Sequence, residues 1–172
     1  MNTAIINSDS YEKHDTGSGH PEQPKRVIAI KEKLKIRSDL IWEKPVSVPD
    51  DILAMTHSKE YIDNLNSSFP QKGLKFLDGD TVISPDSKKA VFDAAGSTIR
   101  AIDGIENKEF KNAFCLARPP GHHAEKDKAM GFCCISNAGV ATNYLIKNYR
   151  YKRVACVDFD VHWGNGNYDV MR

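Results

Sequence analysis

The sequence predicts an α/β fold with a largely parallel sheet flanked by helices. Short apolar runs of strand length alternate with segments of helical period, the pattern that supplies the crossovers a parallel sheet requires. The run from Arg153 to Phe159 is apolar almost throughout, as expected of a central strand covered on both faces. The two stretches richest in chemistry each follow a strand-like run, where open α/β sheets bind their ligands.

Taken in order, Thr3 to Asn7 reads as a short buried strand. Ser8 to Pro24 is polar and rich in Gly, Pro, His and Asp, so a loop is expected, longer than most connections and therefore a working surface. Pro24 opens a helix to about Ile36, with Val27, Ile30 and Leu34 at helical spacing. Ile41 to Val48 suits a second strand, placed at an edge by Pro45. A short helix starts at Pro49-Asp50-Asp51, and another runs from Ser58, its cap, to about Asn66. A longer helix runs from Asp86-Ser87 to Gly104, where Ala90, Val91, Ala94, Ala95, Thr98, Ile99 and Ile102 form a small-residue packing face. Asn112 to Leu116 is a third strand, stopped by Pro119-Pro120-Gly121, and Ser136 to Lys147 is a buried helix. Arg153 to Phe159 is the fourth strand.

The 172 residues suffice for one domain with a core, with no repeat or linker. A net charge of +1 gives no sign of the basic excess that nucleic-acid or membrane surfaces demand. No stretch approaches the roughly 18 apolar residues of a membrane span, and the N-terminus lacks the pattern of a secretory signal. Cys115, Cys133, Cys134 and Cys156 form no C-x-x-C pair, the first, third and fourth sit in apolar runs, and buried free thiols in a reducing compartment are expected; the cytoplasm is the expected location.

The chemistry gathers in two places. Asp158-x-Asp160-x-His162 puts three polar groups on one side of an extended chain whose earlier residues are apolar. Such groups need a partner, and a divalent cation is one, since carboxylate oxygen and imidazole nitrogen are ordinary zinc ligands. The alternative is that they decorate a solvent-facing strand end. His122 and His123 follow a Pro-Pro-Gly bend. They are either exposed loop residues or, beside a metal, proton carriers toward its bound water. Asp158 and Asn165 are candidates to orient them.

These residues strongly resemble a known family. Arg118-Pro-Pro-Gly-His-His-Ala124, Gly131-Phe132-Cys133 and Val157-Asp-Phe-Asp-Val-His-Trp-Gly-Asn-Gly166 look like the signature of the zinc-dependent histone deacetylase superfamily, which includes acetylpolyamine amidohydrolases and acetoin-utilisation proteins. Tyr11-x-x-His14, Gly19-His20-Pro21-Glu22-x-Pro24-x-Arg26, His57-Ser58-x-Glu60-Tyr61-Ile62 and Asp80-Thr81 match its class II-like and bacterial members in order, so the resemblance spans the chain. It implies a three-layer, arginase/deacetylase-like α/β fold. Asp160 and His162 match two of the family's three zinc ligands, and His122 and His123 its catalytic pair. Asp158 matches the partner of the first histidine, and Asn165 stands where the second finds its own. Gly131 and Phe132 match the substrate tunnel, and Arg26 an arginine near an internal acetate cavity. The backbone around Asp158, Asp160 and His162 matches a structural monovalent-cation site, usually potassium. The implied reaction is removal of acetyl groups from acetyl-lysine peptides or small acetylated amines by zinc-activated water.

Departures from the family set further expectations. The third zinc ligand and the oxyanion tyrosine lie downstream in the family, and this chain ends at Arg172. The chain is therefore expected to be the N-terminal portion of one deacetylase-like domain, inactive alone, or else a fragment, truncated gene product or incomplete sequence, with a missing C-terminal half or a second copy as candidate partners. Trp163 replaces a histidine, and Ile135-Ser136-Asn137 a more usual Phe-Asn-Asn; both are expected to alter packing more than chemistry. Two rival readings are a non-catalytic, acetyl-ligand-binding relic of the fold and a binuclear manganese hydrolase of the arginase type.

Overall fold

A computed structural model describes residues 2–172. The first strand, β1 (Thr3–Ile6), is followed by a single helical turn α1 (Ser10–Lys13), then α2 (Lys25–Lys35), β2 (Leu40–Glu43), α3 (Asp50–Thr56) and α4 (Lys59–Ser68). A small hairpin, β3 (Lys75–Phe76) with β4 (Val82–Ile83), precedes the long α5 (Ser87–Glu106). The strand β5 (Asn112–Cys115), α6 (Asn137–Asn148) and α7 (Asn165–Met171) complete the order.

The main sheet has the order β2-β1-β5 and is parallel throughout, with Thr3 of β1 opposite both Leu40 and Asn112. As the middle strand, β1 buries both faces: Ala4 and Ile6 pack with Phe110, while Ile5 packs with Tyr11, Val27, Ala90 and Ala94. The largest core joins α3, α4, α5 and α6 through Ile52, Leu65, Val91, Ile99, Val140 and Tyr144. The small-residue face of α5 lets its neighbours approach closely. At Gly96 an added Cβ would sit 1.9 Å from the Val46 carbonyl oxygen, so no larger residue fits there.

Several expectations need correction. Arg153–Phe159 joins no sheet; the segment is irregular, and Val157, Phe159 and Val161 are 84%, 97% and 93% exposed. An extended chain becomes a strand only where a neighbour pairs its backbone and covers its side chains, and among the described residues none does so here. The second strand stops at Glu43, ahead of Pro45, which has no N–H to continue a ladder. The long helix continues past Gly104 to Glu106, because that glycine makes room for the Phe110 ring rather than ending the helix. The supposed loop at residues 8–24 holds the α1 turn, and the β3–β4 hairpin and α7 are additional elements. Cys156 is exposed rather than buried. No helix among the described residues is long and apolar enough to cross a membrane.

Candidate active site

Beyond β5 the chain turns through Pro119-Pro120-Gly121 into His122 and His123, whose rings lie 4.0 Å apart. The turn is pinned tightly: a Cβ on Gly121 would meet the Asn137 amide nitrogen and the Ile135 carbonyl at 2.6 and 2.7 Å. Gly131 adopts φ +56°, open to glycine, and its α-carbon lies against the His123 ring; an added Cβ would approach Cδ2 to 2.5 Å. Phe132 also has positive φ, and its N–H donates to Thr81 Oγ1 at 3.0 Å. Its ring meets His20 edge-on at 4.8 Å.

Each catalytic candidate has a defined partner. His122 Nδ1 lies 3.0 Å from Asp158 Oδ2, which also accepts from Asn167 Nδ2 at 3.1 Å. His123 Nδ1 lies 2.6 Å from Asn165 Oδ1, and Asn165 Nδ2 donates to Glu125 Oε1 at 2.7 Å. That second bond fixes the amide's orientation: the end facing His123 is an acceptor, so His123 carries its proton on Nδ1. Its Nε2 is left with a lone pair. Asp158 likewise accepts from His122 Nδ1–H and leaves the other ring nitrogen free. Partial burial opposes the charge on Asp158, but the Asp160 N–H and the His122 ring hold its carboxyl below the ordinary carboxylate range.

Asp160 and His162 lie side by side. Asp160 Oδ1 accepts from the His162 backbone N–H and sits 2.8 Å from His162 Nδ1, and these bonds hold its carboxyl below the ordinary range. The His162 ring is 5.9 Å from that of His123. All four side chains, with Gly131, Phe132, Pro21, Glu22, Arg26, Asp80 and Pro120, line one cavity of ≈ 400 Å³. The two motifs therefore converge, although the second lies on an irregular segment rather than at a strand end. Carboxylate oxygen and imidazole nitrogen are both zinc ligand types, so Asp160 and His162 are candidate ligands for a divalent cation that would replace the hydrogen bond between them. Among the described residues no group of three or more His, Cys, Asp or Glu side chains forms a complete cage.

Other residues surround this set. Arg26 lines the same cavity; its side chain is 60% exposed, with Nη1 3.7 Å from Glu22 Oε1. Trp163 is exposed, stacks near Tyr168 at 5.7 Å, and lines a neighbouring groove. Ser136 caps α6 through Gly139 N and donates to Asn167, which in turn holds Asp158, so the altered Ile-Ser-Asn stretch touches the site through one intermediary. Burial pushes the Cys133 thiol up to about 12, which removes it as a nucleophile despite its contact with the His123 N–H.

Sequence reasoning assigned no part to Arg118 and Glu22, which form a buried ion pair beneath the cavity, nor to Glu125 behind Asn165. An arginine just before the Pro-Pro-Gly bend was the available signal.

Residues 20–172 match the family described as the histone deacetylase domain. An uncharacterized Synechocystis protein is 39% identical, over 95% of this chain and 55% of its own length. A probable deacetylase of Methanothermobacter thermautotrophicus is 36% identical, over 97% of this chain and 50% of its own. The crystal structure of the HDA15 HD domain superposes with a TM-score of 0.90 at 31% identity, covering 99% of this chain and 50% of that one. The chain spans about half the length of these relatives.

Proposed function

The chain belongs to the histone deacetylase domain family, and from that premise we propose that it supplies the proton-transfer and part of the metal-binding machinery of a zinc-dependent deacetylase acting on acetyl-lysine peptides or small acetylated amines. The observation that carries this reading is the convergence of His122, His123, Asp160 and His162 on one cavity. Asp160 and His162 would hold the zinc, with further ligands from outside the described residues. When bound, zinc supplies Lewis-acid polarisation and a water acidified toward a pKa of about 7.

The chain's own residues do the rest. Asn165 fixes His123 as the Nδ1–H tautomer, so its Nε2 stands ready to accept a proton from water in the cavity. His122 is backed by a carboxylate, which compensates positive charge on the ring while a proton is held there. Between them the pair can take one proton and return one to the leaving amine. Phe132 and Gly131 form an apolar and sterically tight wall against which an acyl chain can lie. A monovalent cation, usually potassium in the family, is proposed at the backbone of Asp158, Asp160 and His162.

The test is deacetylation of a fluorogenic acetyl-lysine peptide by the longest natural polypeptide carrying this sequence, with and without a chelator. Turnover abolished by chelator is expected; turnover that chelator leaves intact overturns the zinc reading. In the same protein, His123→Ala is expected to lower turnover by roughly a hundredfold or more while metal remains bound, as metal analysis would show.

A further inference from the structure

We propose that Arg118 is a positioning residue for the tandem histidines, acting as a strut between the two walls of the candidate site. One wall is the loop of residues 8–24, which puts Pro21 and Glu22 on the cavity; the other is Pro120, His122 and His123. Arg118 stands at the root of the second wall and is 1% exposed. Its guanidinium reaches across to the first. Nε donates to Glu22 Oε1 at 2.7 Å and Nη2 to Glu22 Oε2 at 2.8 Å, while Nη1 donates to the carbonyls of His14, at 2.8 Å, and Tyr11.

Two arguments favour positioning over simple stability. A fully buried ion pair repays little of its desolvation, and apolar residues of similar volume often fold as well. What the pair provides is geometry, because the planar fork binds a carboxylate and the carbonyls of Tyr11, His14 and Glu22 in fixed directions. The bond also spans 96 residues, tying segments that share no helix or strand. Three residues separate this anchor from His122, and Gly121 between them leaves no slack against Ile135 and Asn137. A shift of the guanidinium is thus passed to the rings that face the substrate. Glu22 is approached on its other flanks by Arg26 at 3.7 Å and by the buried His14 at 3.5 Å.

The proposal rests on the deacetylase reading for its kinetic consequence, and on geometry alone for its spectroscopic one. R118K keeps the charge and loses the fork. Folding of the variant is checked by circular dichroism and thermal melting. Long-range ¹H–¹⁵N spectra of the histidine rings are then expected to show shifted or broadened signals for His122 and His123. In the longest natural polypeptide the kcat should fall roughly tenfold to a hundredfold with KM nearly unchanged. Should R118K fail to fold, E22Q decides, because it keeps the carboxylate's shape and weakens the same bonds; it should move the same signals. A folded variant with wild-type ring signals and wild-type kcat overturns the proposal, even if its melting temperature falls. If the ring signals respond while the unaltered protein shows no deacetylation, the strut stands and the functional reading fails.

Discussion

Gly131 shows how finely single residues are constrained around the cavity. Its backbone has positive φ, and the space a methyl group would need is filled by the His123 ring. Gly131→Ala should therefore cost about 1–3 kcal/mol in thermal or urea melts and displace the imidazole. If the proposed deacetylase reading holds, turnover by the longest natural polypeptide should fall more than the stability loss alone accounts for. At this scale the two motifs that meet at the cavity were legible beforehand. His122, His123, Asp158, Asp160, His162 and Asn165 sit in short motifs whose residue types announce their chemistry. Glu22 and Arg118 also stand in motifs, but their pairing was hidden because the bond joins positions 96 apart, and no local spacing records such a pair.

Among the elements, α4 offers the cleanest test. Ser58 Oγ accepts from the Tyr61 N–H, the cap its sequence position implied. Ser58→Ala should lose about 1 kcal/mol in a denaturant melt without altering the cavity. Most helices and the strands β1, β2 and β5 were readable for similar reasons: local caps, prolines and periodicity. The absence of a strand at 153–159 was not. The sequence from Arg153 to Phe159 has the composition of a buried strand, but composition states only what a segment can do once something pairs with it. The hairpin of residues 75–83 was missed because its strands are two residues each, too short to show alternation.

For the whole molecule, pH is the informative variable. His14 is buried against Ser87 and Arg118, and desolvation together with the arginine's charge lowers its pKa to about 3. Burial also lowers the pKa of His57. A base whose folded pKa lies below its unfolded value of about 6.5 binds protons preferentially in the unfolded chain. Its contribution is complete above that value and is lost as pH falls toward 3. Asp93 adds to the trend: partial burial opposes its charge, but bonds from Ser10, Ser8 and Lys89 depress its pKa, so its contribution too is lost in acid. Melting temperature should thus hold steady from pH 8 to 7 and fall steadily from pH 6 to 4. A profile flat across the acid range would contradict the buried, neutral state of His14.

The irregular segment that carries Asp158, Asp160 and His162 turns the alternate residues Val157, Phe159, Val161 and Trp163 outward into water. One short stretch of chain therefore holds the reactive groups and, back to back with them, an oily ribbon. Such a ribbon should light up an environment-sensitive dye such as ANS and make light scattering climb with concentration. Phe159→Lys should dim the dye and calm the scattering. A surface that covered this ribbon would also restrict the backbone carrying Asp158, Asp160 and His162, so solubility and order in that segment should rise together.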